Sequence, residues 1–478
     1  MTSLNQVFNP EGIPGRGQDG LTQPTPIHEL PYELLADIMH LALLPPRPTK
    51  ANDSRSFLRF ADVMVLCRVC SHWRQIAIQT SQLWVGLDFP ITIYPKDAKT
   101  TWNATKTFLE RSDSLPISVF LYDFVWKDDE IASILPLLVG AAHRWRALHL
   151  HFNSSRGTYP RALDRAFESG MLEARFENLE TIRVDYPNLA DGITAFQLAP
   201  RLREAIMMLR RRSSHVPILP WAQLTRLHLE HDSPQMCFDI LASCKSLVSA
   251  SVLTDQWFDE DAPRFSGTSS LNHLKVLSIS VMIRSAGAHV EPFLQHFTLP
   301  ALTSLTLCLR LWNPANDDWF ISPFLPVLIL FLSRSPHIEE LRLYDCVFSE
   351  DLDDILQHTP NLTALHLDME STGIFDDFFE ALQYNSEADS VPLAPKLEVL
   401  DLYNVGFEFA EESFKKMICS RWWTDVELGE MTAPPRVARW KHIKYRDDHE
   451  LPGFSEEFEK EMRRLSSQGL DAEIHYYG

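Results

Sequence analysis

Thr359-Pro-Asn-Leu-Thr-Ala-Leu-His-Leu-Asp368 places three apolar residues, Leu362, Leu365 and Leu367, at positions i, i+3 and i+5, behind a proline that cannot continue a helix. Its last four residues alternate apolar and polar, as a half-buried strand does. The same spacing recurs along most of the chain. Trp145, Leu148 and Leu150 come first, then Leu179, Ile182 and Val184, then Leu202, Ala205 and Met207. Leu224, Leu227 and Leu229 follow, then Leu247, Ala250 and Val252, Leu274, Leu277 and Ile279, and Leu302, Leu305 and Leu307. Ile338, Leu341 and Leu343 precede the quoted stretch; Leu397, Leu400 and Leu402, and Trp440, Ile443 and Tyr445, follow it. Ala199-Pro-Arg-Leu, Leu299-Pro-Ala-Leu, Ser335-Pro-His-Ile and Ala394-Pro-Lys-Leu repeat the proline lead-in. Helix-compatible stretches lie between, at 238–244, 324–333, 352–358 and 375–384.

This L-x-x-L-x-L pattern is the core of a leucine-rich repeat. A unit of one strand and one helix cannot bury its apolar face alone, so neighbouring units must stack. The expected fold is therefore α/β, a strand-helix solenoid of horseshoe type with a parallel inner sheet, over residues 87–478. Leu115-Pro-Ile-Ser-Val-Phe-Leu reads as a strand ahead of the first triplet. At the other end, 455–466 reads as a helix and the last residues as a short strand or cap. Only Cys346 occupies the inward Asn/Cys position of such repeats, so the units are degenerate.

The segment before the repeats has a different period. Residues 1–25 are rich in Gly, Pro, Gln and Asn and read as a disordered leader. From Ile27, Pro31 suits the first turn of a helix, and Leu34, Leu35, Ile38 and Leu41 then fall on one helical face. Pro45 to Ser56 is polar and Pro-rich, a loop. Val63, Leu66, Cys67, Cys70, Trp73 and Ala77 recur at three- and four-residue steps as a second helix, and Leu83-Trp84 forms an apolar tail. So small a unit needs something larger to pack against.

Leu30-Pro31-x-Glu33-Leu34-x-x-x-Ile38, then Val65-Leu66-Cys67-Arg68-Val69-Cys70-x-x-Trp73-Arg74-x-Ile76-Ala77, then Leu83-Trp84, resembles an F-box. The resemblance covers residues 26–86, a small all-α domain. It implies docking on the Skp-type adaptor and cullin scaffold of SCF-type ubiquitin ligases. The family's adaptor-facing positions map onto Leu30, Pro31, Leu34, Ile38, Val69, Cys70, Trp73, Leu83 and Trp84. The alternative is a helical cap that binds nothing, which a solenoid also needs. F-box plus degenerate repeats resembles a kind of F-box protein abundant in mushroom-forming fungi.

Strand side chains alternate, so residues flanking the last two apolar positions of each triplet face the concave surface. His149, His151, Arg183, Arg226, His228, Arg342, Tyr344, His366, Asp401 and Tyr403 are the candidates there for holding a partner protein, since Arg and aromatic residues are favoured interface anchors.

Other chemistry finds little support. The formal net charge is −20, from 64 acidic and 44 basic residues, which repels a nucleic acid duplex or an anionic membrane. The most apolar run, 321–332, is too short for a membrane span and contains two prolines. Seven scattered cysteines make no disulfide framework and suit a reducing compartment. Cys67-x-x-Cys70 has no second pair to complete a zinc site, and His149-x-His151 is an incomplete metal site. No phosphate loop, nucleophile elbow or H-E-x-x-H is present. No cofactor or metal is expected, no catalytic residues, and a cytoplasmic or nuclear location. The resemblance implies a substrate-recognition subunit of an SCF-type E3 ubiquitin ligase whose solenoid binds an unidentified target protein. The alternative is a binding scaffold with no role in ubiquitin transfer.

Overall fold

The computed structural model describes residues 26–43, 60–88, 98–122, 128–151, 174–185, 194–209, 216, 218–255, 257, 267–283, 290–311, 325–369, 373–386, 392–406, 408–431, 433–450 and 453–477. The leader at 1–25 and the loop at 45–56 expected from the sequence lie outside them.

A single 14-stranded sheet runs through the chain, each strand hydrogen-bonded to its neighbours. Its strands are Gly86–Asp88 (β1), Ile117–Tyr122 (β2), Trp145–His151 (β3), Thr181–Asp185 (β4), Glu204–Met208 (β5), Arg226–His231 (β6) and Ser249–Asp255 (β7). Val276–Ile283 (β8), Ser304–Leu311 (β9), Glu340–Tyr344 (β10), Ala364–Asp368 (β11), Val399–Tyr403 (β12), His442–Glu450 (β13) and Asp471–Tyr477 (β14) complete it. Every pairing is parallel, and the spatial order follows the sequence order. This is the topology of a solenoid, in which each unit adds one strand beside the last.

The repeated triplet explains the register. Leu305 pairs with Leu341, Leu341 with Leu365, Leu365 with Leu400 and Leu400 with Ile443. Like residues therefore stack on like residues, and every residue of the eleven triplets is at most 3 % exposed. A one-residue slip would turn these rows outward. Cys346 is buried just past β10, its Sγ 3.9 Å from the Leu307 carbonyl oxygen of the preceding strand.

Helices cover the same side. Pro234–Ser243, Leu325–Ser333, Leu352–Gln357 and Asp376–Leu382 fall where the sequence placed them. The first begins with Ser233 accepting the Met236 N–H, a cap with Pro234 at the first position. One expectation needs correction: a helix does not accompany every strand. Between β5 and β6 the described residues hold only a 3-10 turn, Trp221–Gln223. The β6–β7 connection, 232–248, is as long as this one, 209–225, and does hold the helix Pro234–Ser243, so length alone does not decide the difference. The apolar run at 321–332 yields the nine-residue helix Leu325–Ser333, and no helix among the described residues is long and apolar enough to cross a membrane.

Among the described residues, the head preceding the sheet contains three α-helices, not the two read from the sequence: Tyr32–Leu43 (α1), Phe60–Val69 (α2) and Ser71–Gln79 (α3). Cys70 interrupts the second pattern. Its backbone is extended, with φ −158° and ψ 174°, and its Sγ accepts the Trp73 N–H at 3.4 Å as the N-cap of α3. Cys67 and Cys70 therefore do not share one helix face. Arg74 closes the break by donating from Nε to the Cys67 carbonyl at 2.9 Å.

The head joins the sheet through Trp84, which is fully buried. Its Nε1 donates to the Ala77 carbonyl at 2.7 Å, fixing it to α3. On the other side it meets Phe108 edge to face at 6.1 Å, and the Arg111 guanidinium stacks over it at 4.4 Å. Both belong to Ala98–Arg111 (α4), the first helix beyond the head. Two residues after Trp84, β1 pairs with β2. Head and sheet thus share one hydrophobic core.

Truncating the quoted motif should unravel several units. Leu365→Ala is expected to cost about 2–5 kcal/mol, against at most about 0.5 kcal/mol for Leu330→Ala at a 65 % exposed helix position, measured by urea denaturation.

Candidate functional site

The described residues leave sixteen large apolar side chains exposed, and eight of them lie between Ile27 and Ile78, in the head. The helical step explains the arrangement. On α1, Leu35 and Met39 face the core, while Leu34, Ile38 and Leu41, at i, i+4 and i+7, face outward with 50, 41 and 66 % exposure. On α2, Val65 and Val69 are exposed in the same way at i and i+4. The expectation that Leu35 shares a face with Leu34, Ile38 and Leu41 is therefore corrected. A small module that turns this much apolar surface to solvent has the composition of an interaction site.

Of the nine positions carried over from the F-box resemblance, Pro31, Leu34, Ile38 and Val69 are exposed. Leu30, Cys70 and Trp73 are half-buried, and Leu30 and Trp73 pack against the core. Leu83 and Trp84 are 1 and 0 % exposed. They correct the reading: both are committed to holding the head on the sheet and cannot touch a partner in this conformation. The positions carried over from the F-box do not include Leu41, Val65 and Ile78, all of them exposed. The helical period of the sequence already aligns Leu41 with Leu34 and Ile38.

The second surface is the helix-free face of the sheet. Its central row follows from the strand register. It runs Phe120, His149, Arg183, Ile206, His228, Ser251, Ser278, Thr306, Arg342, His366, Asp401, Lys444 and Glu473. The small hydroxyl residues in the middle divide the ten sequence candidates into two groups.

In the N-terminal group, His149 packs edge-on against Phe120 at 4.5 Å. Burial, with the Arg183 guanidinium beside it, pushes its pKa down to about 4, so it is neutral at pH 7. His151 pairs with Asp185 at 2.5 Å, Arg226 with Glu204 at 2.6 Å, and His228 with Glu230 at 3.1 Å. These pairs run along or between adjacent strands and do not converge on one point.

The C-terminal group does converge. Ser304 donates to Glu340 at 2.6 Å, and the other oxygen of Glu340 accepts from Arg342 at 2.5 Å and lies 3.5 Å from His366 Nε2. His366 Nδ1 is 2.7 Å from Asp401 Oδ2. Asp401 Oδ1 lies 3.4 Å from His442 Nε2, whose Nδ1 is 2.8 Å from Asp471. One polar chain therefore crosses six strands, β9 to β14. Tyr403 flanks it, with the Lys444 ammonium 5.9 Å from its ring centre; Lys444 also pairs with Glu473 at 2.8 Å. Tyr344 lies on β10 in the next row, in register with Cys308 and Asp368.

Burial alone would raise the pKa of Asp401, but the His366 hydrogen bond and the charges of His366, His442 and Lys444 hold it below the usual carboxylate range. Glu340 is lowered too: burial opposes this, while hydrogen bonds from Ser304 and Arg342 and the charges of Arg342 and His366 prevail. Glu340 and His442 were absent from the sequence candidates. Each lies two residues before a member of the central row, Arg342 and Lys444, so strand alternation could have found them.

Burial, with Glu461 beside it, pushes the lone Cys419 thiol up to about 11. Among the described residues no group of three or more His, Cys, Asp or Glu is placed to hold a metal.

Fold and surfaces together define a class: a leucine-rich-repeat-like solenoid with a small, apolar-surfaced helical head. Residues 27–90 match the F-box-like family. No curated protein matches the chain. Among solved structures, the "Crystal structure of TLR13-ssRNA13 complex" aligns at 12 % identity and a TM-score of 0.26, over 70 % of this chain and 55 % of that one. This chain thus spans about half the length of that neighbour.

The polar chain carries a pH signature. Asp401 and Glu340 have folded pKa values below their ordinary 3.8 and 4.5. Their stabilisation is complete above those values and is lost as pH falls through the lower folded ones. Thermal melts should show Asp401→Asn less stable than wild type at pH 6, with the difference shrinking as pH falls below about 4.

Proposed function

We propose that this chain is the substrate-recognition subunit of an SCF-type E3 ubiquitin ligase. The head docks on a Skp-type adaptor and through it on a cullin scaffold, and the helix-free sheet face holds a target protein. The observation that carries this reading is a coincidence of place. The F-box-like match at 27–90 falls on the module that holds half of the exposed large apolar side chains. Leu34, Ile38 and Val69 supply the adaptor contact, joined by Leu41 and Val65, with Pro31, Leu30, Cys70 and Trp73 at the margin.

The chain's role is then geometric. Holding adaptor and target at once raises the effective concentration of a target lysine near a separate conjugating enzyme. No catalytic group of its own is required. The target-facing surface is the central row and its neighbours: His149, His151, Arg183, Arg226 and His228 on one side, Arg342, Tyr344, His366, Asp401 and Tyr403 on the other. Mixed charge with Tyr and Arg suits a protein partner better than an anionic polymer, given a net charge of −20. The setting for such a complex is the cytoplasm or nucleus.

Co-purification of the full chain with its organism's Skp-type adaptor tests this. Leu34→Asp and Val69→Asp should abolish adaptor capture while leaving the unfolding free energy from urea denaturation within about 0.5 kcal/mol of wild type, because both side chains are already in water. Trp73→Ala should weaken both capture and folding. A folded wild type that captures no adaptor would refute the reading and make the head a cap on a binding scaffold.

A further inference from the structure

The last strand, β14, is one of the two edges of the sheet; among the described residues it has one neighbour, β13, as β1 has only β2. Its core-facing residues Ala472 and Ile474 are only partly buried, whereas Ile443 and Tyr445, in register with them on β13, are 0 % exposed. A cavity of about 470 Å³ opens there, lined by Ala472 and Ile474 and by Phe458 and Met462 of the helix Glu456–Ser467.

The backbone phase of this edge is fixed. The Asp471 N–H bonds to the Lys441 carbonyl at 3.3 Å, on the β13 side. Peptide groups alternate in direction along a strand, so those of Ala472, Ile474 and Tyr476 point away from the sheet. We propose that the β14 edge is a homodimer interface, in which a second copy of this chain pairs its own β14 antiparallel across a twofold axis at Ile474.

Three observations select this occupant and this axis. A twofold interface must be complementary to itself. An axis on any residue of the strand keeps outward peptide groups opposite one another, but only an axis on 474 lets all seven residues of Asp471–Tyr477 pair; axes on 472, 473, 475 or 476 leave residues at the ends without a partner. That register forms about six interchain backbone hydrogen bonds. It also sets Glu473 opposite His475 of the other copy, twice, at the non-hydrogen-bonded positions where side chains approach most closely. The helix at the cavity rim shows the same property. Glu459 and Arg463, one turn apart, meet their opposites when the helix faces a second copy antiparallel. The two Ile474 side chains close the cavities. Long-range repulsion between chains of charge −20 makes the pairing weak and reversible.

Sedimentation velocity of the full chain up to roughly 100 µM decides the matter. Wild type is expected to form a reversible dimer. Ala472→Pro removes an outward N–H that the sheet does not use, and His475→Glu sets carboxylate against carboxylate at both crossings. Each should weaken association about tenfold or more, with the circular-dichroism melt unchanged. His475 is exposed, so His475→Glu remains decisive should Ala472→Pro disturb folding. A wild type that stays monomeric overturns the proposal and leaves the edge to a strand from another protein. A dimer that both folded variants leave intact overturns it by placing the interface elsewhere.

Discussion

Unbroken parallel register is the constraint from which this molecule follows. Each unit has one short strand and too few apolar residues to enclose them. It becomes stable only when its Leu-x-Leu row lies over the row before and under the row after. Because Leu305, Leu341, Leu365, Leu400 and Ile443 stack in line, the residues between them are aligned as well. The core therefore dictates the surface: Arg342, His366, Asp401 and Lys444 are neighbours because the leucines beside them are.

The same dependence reaches the head. Its three helices contribute Leu35, Met39, Leu66, Ile76 and Ala77 to burial but cannot enclose them alone. Trp84 brings the missing surface, with its indole between α3 and α4 and its N–H tied to Ala77. Two residues later the chain is already a sheet strand. The head is consequently held in a fixed attitude at the N-terminal end of the sheet, with its apolar outer face turned to solvent.

The solenoid was largely legible because one short spacing repeats, and repetition compensates for degeneracy in any single unit. All eleven triplets stand in strands or at their entries. What escaped was local. Cys70 continues an apolar helical period, and nothing in that period signals that its backbone turns extended to cap a new helix. Leu83 and Trp84 match a motif whose members include both core and surface residues, and residue type alone cannot separate the two for large apolar side chains. The sheet face was legible as a list but not as a network. Strand alternation gives the side on which His366 and Asp401 lie, while their 2.7 Å contact depends on register between residues 35 positions apart.

The polar chain from Ser304 to Asp471 illustrates how a repeat fold places chemistry. No unit contains more than two of its members, and no loop is involved. Each strand offers one or two side chains, and the sheet composes them.

The ladder also functions as a ruler. Fourteen parallel strands at about 4.8 Å spacing reach roughly 60 Å from the head to β14. Anything gripped at the Glu340–Asp471 network is thereby held several nanometres from whatever grips the head, at a distance counted in whole strands. Losing or gaining one unit would move that cargo by one spacing and rotate it by one increment of sheet twist, with every contact at both ends left intact.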